Sequence, residues 1–362
     1  MLYHLLYPLT EYVSGFNLFR YITFRTAGAT VTAIIICLIL GPFFIGLLKK
    51  YQVQETIRQE GPTSHYKKAG TPTMGGLIIL SGIIIPTVLW ANLTNFYVLM
   101  MLLVTFWLGL IGYMDDYLKT IRGQSKGMVA RKKLVGQVVL GIIFGVFLLY
   151  FSPFGQYNGT TEIPFLKNYV LVLGVFYIPF VILVITGSSN AVNLTDGLDG
   201  LAIGLCGICF LAFGGIAYVS GHIDFSKYLQ IEYFPGIGEL AIYCGAAIGS
   251  SLGFLWFNSH PAEVFMGDTG ALTLGGALAA IAIMLKKELL LVIVGGVFVV
   301  EALSVIIQVL SYRYRGGKRV FKMAPLHHHF ELLGWPESKV VIRFWILGAL
   351  CALLTLATLK VR

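Results

Sequence analysis

Long apolar segments recur from one end of the chain to the other and are separated by short polar connections. Each segment is about 20 residues long, the length that an α-helix needs to cross a hydrocarbon core about 30 Å thick. Helices are the expected spanning elements, because no alternating β-barrel pattern is present and backbone polar groups in lipid must be hydrogen-bonded internally. The pattern predicts about ten transmembrane helices, at approximately 26–48, 74–95, 97–114, 134–152, 169–187, 200–220, 238–257, 270–285, 289–311 and 341–361.

The polar stretches are too short to form a soluble domain. The longest, residues 49–72, 114–133 and 312–340, could not bury a hydrophobic core of their own. The composition agrees, since 57% of the residues are hydrophobic and only 12% are charged, with a mean hydropathy of +0.81. Soluble domains carry about 25% charged residues. We therefore predict an all-α polytopic membrane protein in which residues 1–362 form a single integral membrane domain.

The basic residues indicate how the chain is oriented in the membrane. Of the 26 Lys and Arg residues, eighteen lie in one set of connections and eight lie on the opposite side. Cytoplasmic loops carry the excess of Lys and Arg, so the first set is expected to be cytoplasmic, with both termini outside. The net charge of +9 fits contact with anionic lipid headgroups. No nucleic-acid-binding motif occurs, so membrane lipid, and not nucleic acid, is the expected partner.

Two adjacent carboxylates, Asp115 and Asp116, stand at the predicted cytoplasmic end of the third span. Neighbouring like charges repel, and the dipole at the C-terminus of a helix also disfavours anions. Such an arrangement suggests a bound cation or a role in proton transfer. A hydrated helix end is the simpler alternative.

Two further acidic motifs lie in connections on the same side. Asp196 and Asp199 belong to NLTDGLDG (193–200) and share a face if that segment is helical, with a capping turn as the alternative. Asp268 stands between two glycines in VFMGDTG (264–270) and could simply cap the following helix. Mg²⁺ usually takes one or two carboxylates together with water and phosphate oxygens. The acids together predict a magnesium site with a carboxylate left for acid–base chemistry.

Histidines and lysines accompany these acids. The string PLHHHFE (325–331) contains three consecutive histidines, which cannot all point at one zinc ion. Phosphate or sugar contact is expected there, with a solvated loop as the alternative. Lysines precede GTPTMGG (70–76) and follow the Asp pair, although the orientation of the chain alone explains some of them. Carboxylates for a metal and lysines for phosphates are typical of phosphoryl transfer.

Glu301 is placed clearly inside a predicted span. Ser304 and Gln308 follow it at helical spacing. An intramembrane acid is a functional candidate by default. An interhelical hydrogen bond that shapes a groove is the equal alternative, and the role of Glu301 is left open between them.

Six strings resemble the phospho-N-acetylmuramoyl-pentapeptide-transferase (MraY) family, within the polyprenyl-phosphate N-acetylhexosamine-1-phosphate transferase superfamily. They occur in the expected order, and the resemblance covers essentially the whole chain. Ala271, where the family often has a small hydroxyl residue, is a minor departure. The strings are KKAGTPTMGG (67–76), GYMDDY (112–117), KGMVARKKLVGQ (126–137), NAVNLTDGLDGLA (190–202), NSHPAEVFMGDTGAL (258–272) and APLHHHFELLGW (324–335).

The resemblance implies a reaction that composition cannot indicate. Phospho-MurNAc-pentapeptide would pass from UDP-MurNAc-pentapeptide to undecaprenyl phosphate with Mg²⁺ as cofactor, giving lipid I and UMP for peptidoglycan synthesis. The resemblance also implies a bacterial inner (cytoplasmic) membrane location, a homodimer, and a ninth span bent to expose a lipid groove. In such a membrane, the orientation expected from the basic residues makes both termini periplasmic.

Two other functions stay open. A sister enzyme that transfers GlcNAc-1-phosphate to a polyprenyl phosphate would share the Asp motifs, but the PLHHHFE string resembles the MurNAc-pentapeptide branch. A cation-coupled transporter would use intramembrane acids, whereas most of the carboxylates here gather at one face.

The resemblance also assigns roles to residues. The catalytic residues would be Asp115, Asp116, Asp268 and His327, with Asp268 and Asp115 as metal ligands. Asp116 is expected to deprotonate or orient the lipid phosphate, and a phospho-aspartate intermediate is the alternative. Phe265 would stack on uracil. For Asp196 and Asp199, metal binding is the alternative to nucleotide binding. The implied substrate-binding residues are Lys68, Thr73, Lys126, Lys133, Asn190, Asn193, Asp196, Asp199, Asn258, Phe265, His328 and His329.

Overall fold

The computed structural model describes residues 1–51, 70–122, 127–166 and 169–360, and these residues are mostly helical. Short 3₁₀ helices occur at Tyr7–Glu11, Ser14–Arg20, Gly155–Tyr157, Gly174–Phe176 and Ile237–Glu239. The strands β1 (Thr160–Glu162) and β2 (Val170–Val172) form an antiparallel pair in which Thr161 faces Leu171. The helices are α1 (Leu2–Leu6), α2 (Ile22–Lys50), α3 (Gly76–Trp90), α4 (Phe96–Thr120), α5 (Ala130–Tyr150), α6 (Tyr177–Thr195), α7 (Leu201–Ser220), α8 (Ile223–Leu229), α9 (Leu240–Asn258), α10 (Gly267–Met284), α11 (Glu288–Val294), α12 (Gly296–Tyr314), α13 (Leu326–Glu331) and α14 (Glu337–Thr358).

Within the described ranges, nine helices are long and apolar enough to cross a membrane. The shorter α3 is also apolar and has 15 residues. These ten helices follow the order of the ten predicted segments, so the predicted all-α polytopic fold is confirmed. The fifth segment begins later than predicted, because residues 170–172 form β2 before the chain enters α6.

The helix α10 forms the centre of the bundle. Every one of its residues from Asp268 to Met284 is buried. It packs against α4 and α6, and also against α3 and α7. The other helices surround this core, with α2 against α9 and α14 against α7. The first residues of α10 are therefore held from several sides, which favours a rigid site at this helix end.

A stripe of glycines brings α9 close to α2. Gly245, Gly249 and Gly253 recur every four residues and face α2. A Cβ atom added to Gly245 would lie 2.8 Å from the carbonyl oxygen of Thr26, and one added to Gly253 would lie 2.6 Å from Cys37 Cβ. Small residues at this spacing let helix backbones approach in membranes, where van der Waals packing drives association.

The ninth predicted span, 289–311, is divided into two helices. The helix α11 ends at Val294 and α12 begins at Gly296, so the chain turns at Gly295. The family resemblance implied a bend in this span, and the structure interrupts the helix at Gly295. Apolar side chains on α12 are exposed and can face lipid: Val300, Leu303, Ile306, Ile307, Val309 and Leu310.

Buried charges secure the end of the bundle where α2 begins. The guanidinium of Arg25 donates hydrogen bonds of 2.9 and 2.6 Å to the two carboxylate oxygens of Glu239. Lys287 pairs with Glu162 on β1, which fastens the hairpin to the loop after α10. Burial lowers the pKa of the neighbouring Lys286 to about 8. These groups connect loops to spans at the end of the bundle that lacks the acidic motifs.

Candidate active site

Three carboxylates from two helices meet at one end of the bundle. Asp115 and Asp116 lie on α4, and Asp268 is the second residue of α10. Their exposed fractions are 0%, 3% and 8%. One oxygen of each lies within 4.8 Å of the others. The structure therefore brings together the three acids that were predicted to be catalytic.

Two lysine ammonium groups contact both Asp115 and Asp268. Lys133 Nζ, from α5, lies 2.5 Å from Asp268 Oδ2 and 3.2 Å from Asp115 Oδ2. Lys119 Nζ, from α4, lies 2.7 Å from Asp268 Oδ2 and also pairs with Asp115. Positive charge here offsets the repulsion between buried carboxylates. Lys119 was not among the predicted site residues, although its position four residues after Asp115 is an ion-pair spacing on a helix.

Asp116 is bonded to the first turn of α10. Its Oδ1 accepts the backbone N–H of Asp268 at 3.0 Å, and its Oδ2 accepts the N–H and hydroxyl of Thr269 at 2.9 and 2.6 Å. The alternative that Asp268 caps its own helix is therefore wrong, because Asp116 satisfies these N–H groups from another helix. Since α4 continues to Thr120, the Asp pair lies inside its last turns and not at the predicted helix end.

The donor set of this cluster fits a divalent cation. Carboxylate oxygens are ligands that Mg²⁺ takes in proteins, together with water and phosphate oxygens. Asp115 and Asp268 direct one oxygen each toward the lysines, whereas both oxygens of Asp116 face α10. Thr73 lies beside the cluster, since a Cβ atom added to Gly267 would be 3.1 Å from Thr73 Oγ1 and 2.8 Å from Asp116 Oδ2. Asp115 and Asp268 are thus the residues that could hold a metal ion.

The segment 196–200 is a turn between α6 and α7, so Asp196 and Asp199 do not share a helix face as the helical alternative required. Gly200 has φ of +78°, a conformation that favours glycine. Its N–H donates to Asn258 Oδ1 at 3.0 Å, and Asn258 Nδ2 donates to the carbonyl of Val264 at 2.8 Å. Asn258 therefore ties the turn to the segment that leads into α10.

Asp199 belongs to a second group of close polar side chains. Its Oδ2 lies 3.0 Å from His260 Nδ1 and accepts the N–H of Ala262 at 3.2 Å. The N–H of Asp199 donates to Glu337 Oε1 at 2.8 Å. Atoms of Asp199, His260 and Glu337 lie within 4.8 Å of one another. This group, of which only Asp199 was predicted, joins three connections at the same end of the bundle.

The three consecutive histidines do not converge on one point. His327 is fully buried, and its Nδ1 lies 3.3 Å from Glu301 Oε2. His328 Nδ1 lies 2.8 Å from Glu331 Oε2. His329 Nδ1 accepts a backbone N–H from the preceding loop at 3.1 Å. The three rings therefore have three different partners.

The other predicted residues are distributed around these groups. Asn190 Nδ2 donates to Gln137 Oε1 at 3.0 Å, and Asn193 lies half-buried one turn further along α6. Phe265 is half-buried, and its N–H and carbonyl form hydrogen bonds with residues 72 and 75. Two predicted lysines lie outside the described residues: Lys68 and Lys126.

The helical bundle and its acidic cluster fall within a known class of membrane transferases. The family model described as Glycosyl transferase family 4 matches residues 98–286, a range that contains all three acids. Residues 68–80 match the phospho-N-acetylmuramoyl-pentapeptide-transferase signature 1. Relatives named phospho-N-acetylmuramoyl-pentapeptide-transferase occur in Thermodesulfovibrio yellowstonii, Pelobacter propionicus and Desulforapulum autotrophicum. They are 53%, 54% and 52% identical, and each alignment covers 100% of both chains. The chain belongs to the phospho-N-acetylmuramoyl-pentapeptide-transferase family, which confirms the predicted resemblance.

Proposed function

We propose that the chain transfers phospho-MurNAc-pentapeptide from UDP-MurNAc-pentapeptide to undecaprenyl phosphate, giving lipid I and UMP. The observation that carries the proposal is the cluster in which Lys119 and Lys133 each contact both of the buried carboxylates Asp115 and Asp268. The relatives that bear the name of this activity match the chain over its full length. A lipid-borne and a water-soluble substrate can meet at such a site at the end of a membrane bundle.

Charge neutralisation is the main chemical demand of this reaction. An oxygen of the lipid phosphate attacks the phosphorus attached to MurNAc, the P–O bond to UMP breaks, and UMP leaves as an anion. The second pKa of a phosphate monoester is about 6, so the lipid phosphate is largely a dianion at neutral pH. It needs alignment and nearby positive charge more than it needs a base. Lys119 and Lys133 supply such charge.

Mg²⁺ is the proposed cofactor, with Asp268 and Asp115 as its protein ligands. When bound, it would neutralise charge that develops between the phosphorus and the departing UMP. The hydrogen bond from the Asp268 N–H to Asp116 fixes the position of Asp268 relative to α4. The proposed catalytic residues are thus Asp115 and Asp268, with His327 contacting substrate.

Asp116 is proposed to position Asp268 rather than to abstract a proton. Both of its oxygens accept hydrogen bonds from the first turn of α10. A carboxylate engaged in this way is a poor base and a poor nucleophile. The contacts therefore favour direct attack by the lipid phosphate over a phospho-aspartate intermediate.

The remaining predicted residues are proposed to bind the nucleotide and the sugar. The Asn258 and Asp199 contacts hold the turn at 196–200 against the segment before α10, which supports a substrate pocket there. The active form is proposed to be a homodimer with both termini periplasmic and this site facing the cytoplasm. The proposed substrate-binding set is Lys68, Thr73, Lys126, Lys133, Asn190, Asn193, Asp196, Asp199, Asn258, Phe265, His328 and His329.

The test is an assay of UMP release by the purified full-length protein in micelles that contain undecaprenyl phosphate and Mg²⁺. UDP-MurNAc-pentapeptide should be turned over, and UDP-GlcNAc should react at most about one hundredth as fast, because a site built for the larger group rejects a substrate that leaves its polar groups unpaired. Equal turnover of UDP-GlcNAc would identify the sister activity. No UMP release from either substrate, with ion uptake into proteoliposomes, would favour a transporter.

A further inference from the structure

The acidic residue inside α12, Glu301, lies directly against His327. Both side chains have an exposed fraction of 0%. Glu301 Oε1 accepts the backbone N–H of His327 at 3.1 Å, and Glu301 Oε2 lies 3.3 Å from His327 Nδ1. The two carboxylate oxygens therefore face the backbone and the ring of the same histidine, although the residues are far apart in the sequence.

The same face of α12 holds the loop that leads to this histidine. Two turns after Glu301, Gln308 Oε1 accepts the N–H groups of Val320 and Phe321, each at 3.0 Å. Ser304, between them, donates its hydroxyl to the backbone carbonyl of Glu301 at 2.6 Å. Ser304 is thus a buried neighbour on α12 that is not bonded to the Glu301 carboxylate, which makes it a matched control.

The opposite edge of the His327 ring faces the turn between α6 and α7. A Cβ atom added to Gly197 would overlap His327 Nε2 and would lie 3.1 Å from its Cε1. Within the described part of the chain, neither ring nitrogen of His327 forms a hydrogen bond, and neither does Glu301 Oε2, although Nδ1 and Oε2 are only 3.3 Å apart. A buried polar atom normally has one. The unpartnered Nε2 next to a glycine therefore indicates a place where an external polar atom can bind.

We propose that Glu301 is a positioning residue that acts through His327. Its carboxylate lies 3.3 Å from Nδ1, which favours a proton on that nitrogen and directs Nε2 at the turn that contains Gly197, where Nε2 meets a polar group of the substrate. With the proton on Nδ1, Nε2 is left to accept a hydrogen bond from a substrate hydroxyl or amide group. The identity of the substrate rests on the proposed function, whereas the pairing itself does not.

Activity measurements on Glu301→Gln, His327→Gln and the double variant test the proposal. Glu301→Gln keeps an oxygen for the backbone N–H of His327 but replaces the oxygen beside Nδ1 with an amide NH₂ group. The ring then loses the acceptor that orients it. The substitution should lower kcat by about 10- to 100-fold, the usual loss when a group that orients a functional histidine is removed, with little change in KM. The double variant should be no slower than His327→Gln alone, because both changes remove the same Glu301–His327 interaction.

The control is Ser304→Ala, which should stay within about twofold of the native kcat, because the Ser304 hydroxyl bonds to a backbone carbonyl of its own helix and not to the Glu301 carboxylate. Losses that multiply in the double variant would show that Glu301 acts independently of His327. Full activity of Glu301→Gln would equally overturn the proposal.

A second measurement needs no variant of Glu301 and covers the case in which that variant does not fold. Histidine ¹⁵N NMR of the full-length protein, with His327→Gln used to assign the signal, reports which ring nitrogen carries the proton. We expect the proton on Nδ1; a ring protonated only on Nε2 would contradict the pairing. If the native protein released no UMP, the proposed function would fail, while this result would still decide the role of Glu301.

Discussion

Asp116 Oδ1 accepts a hydrogen bond from the backbone N–H of Asp268 at 3.0 Å. Thr269 contributes two more donors to the same carboxylate. A side chain from α4 thus does for α10 what an N-cap residue usually does within its own helix. An anion at a helix N-terminus is favourable, so this contact caps α10. It also fixes the position of the Asp268 side chain.

Asp116→Asn should destabilise the protein and reduce its activity together. The amide keeps one acceptor oxygen but places N–H donors against the donors of α10, which we expect to lower the free energy of unfolding by about 1–3 kcal/mol. Thermal unfolding in detergent and UMP release measure the two effects. Thr269→Val, which removes only the hydroxyl contact, should have the smaller effect. Unchanged stability with complete loss of activity would point back to a proton-transfer role for Asp116.

Asp268→Asn should abolish cation binding but leave the fold intact. The N–H groups at the start of α10 are satisfied by Asp116, so the change does not uncap the helix. Mn²⁺ binding, followed by electron paramagnetic resonance, should be lost, and UMP release should fall at least about 100-fold. Glu263→Gln, an exposed acid in the same connection, is the control and should bind Mn²⁺ normally. Native affinity for Mn²⁺ in Asp268→Asn would exclude this residue as a ligand.

The spans and the acidic cluster could be predicted from the sequence because both follow from simple patterns. A run of apolar residues long enough to cross lipid has few alternatives to a helix. The three acids at 115, 116 and 268 lie near the ends of such runs and at the same end of the bundle. Lys119 could have been added from its spacing to Asp115, whereas Lys133 reaches the cluster from a different helix and was predicted only as a phosphate contact.

Tertiary contacts decided what the local sequence left open. A glycine–aspartate pair at the start of α10 is typical of a local cap, but Asp116 on α4 takes that role. Glu301 was equally compatible with function and with packing. Its pairing with His327 joins α12 to α13 across a long loop, and no spacing rule relates residues so far apart.

Lys119→Met should increase the affinity of the site for a divalent cation and decrease turnover. The ammonium group lies against the same oxygens of Asp115 and Asp268 that are proposed to bind the metal, so it competes with the cation. Removing one charge at this distance should tighten Mn²⁺ binding by about tenfold or more. Lys132→Met, on the exposed face of α5, is the control and should change neither property. Weaker Mn²⁺ binding in Lys119→Met would mean that the lysine supports the cation site.

The orientation of the bundle predicts which loops a membrane-impermeant maleimide can reach. Single cysteines at Arg131 and Glu263, both exposed, should label only after spheroplasts are lysed, because the excess of basic residues marks that side as cytoplasmic. A cysteine at Asp224, whose side chain is 83% exposed, should label in intact spheroplasts. Labelling of the Arg131 position from outside would reverse the orientation and remove the proposed site from the cytoplasm.

Gly197→Ala should impair turnover through His327. The added methyl group would overlap Nε2 of the ring, so either the ring or the turn must move. Overpacking of this kind lowers the free energy of unfolding by about 1–3 kcal/mol, and the displaced ring should lower kcat by about tenfold. Gly187→Ala on α6, where nothing lies within 4 Å of the new Cβ, is the control and should stabilise the helix slightly. Combining Gly197→Ala with the smaller side chain of His327→Gln should restore much of the lost stability but not the activity. If the stability losses simply added, the methyl group would be colliding with something other than the histidine.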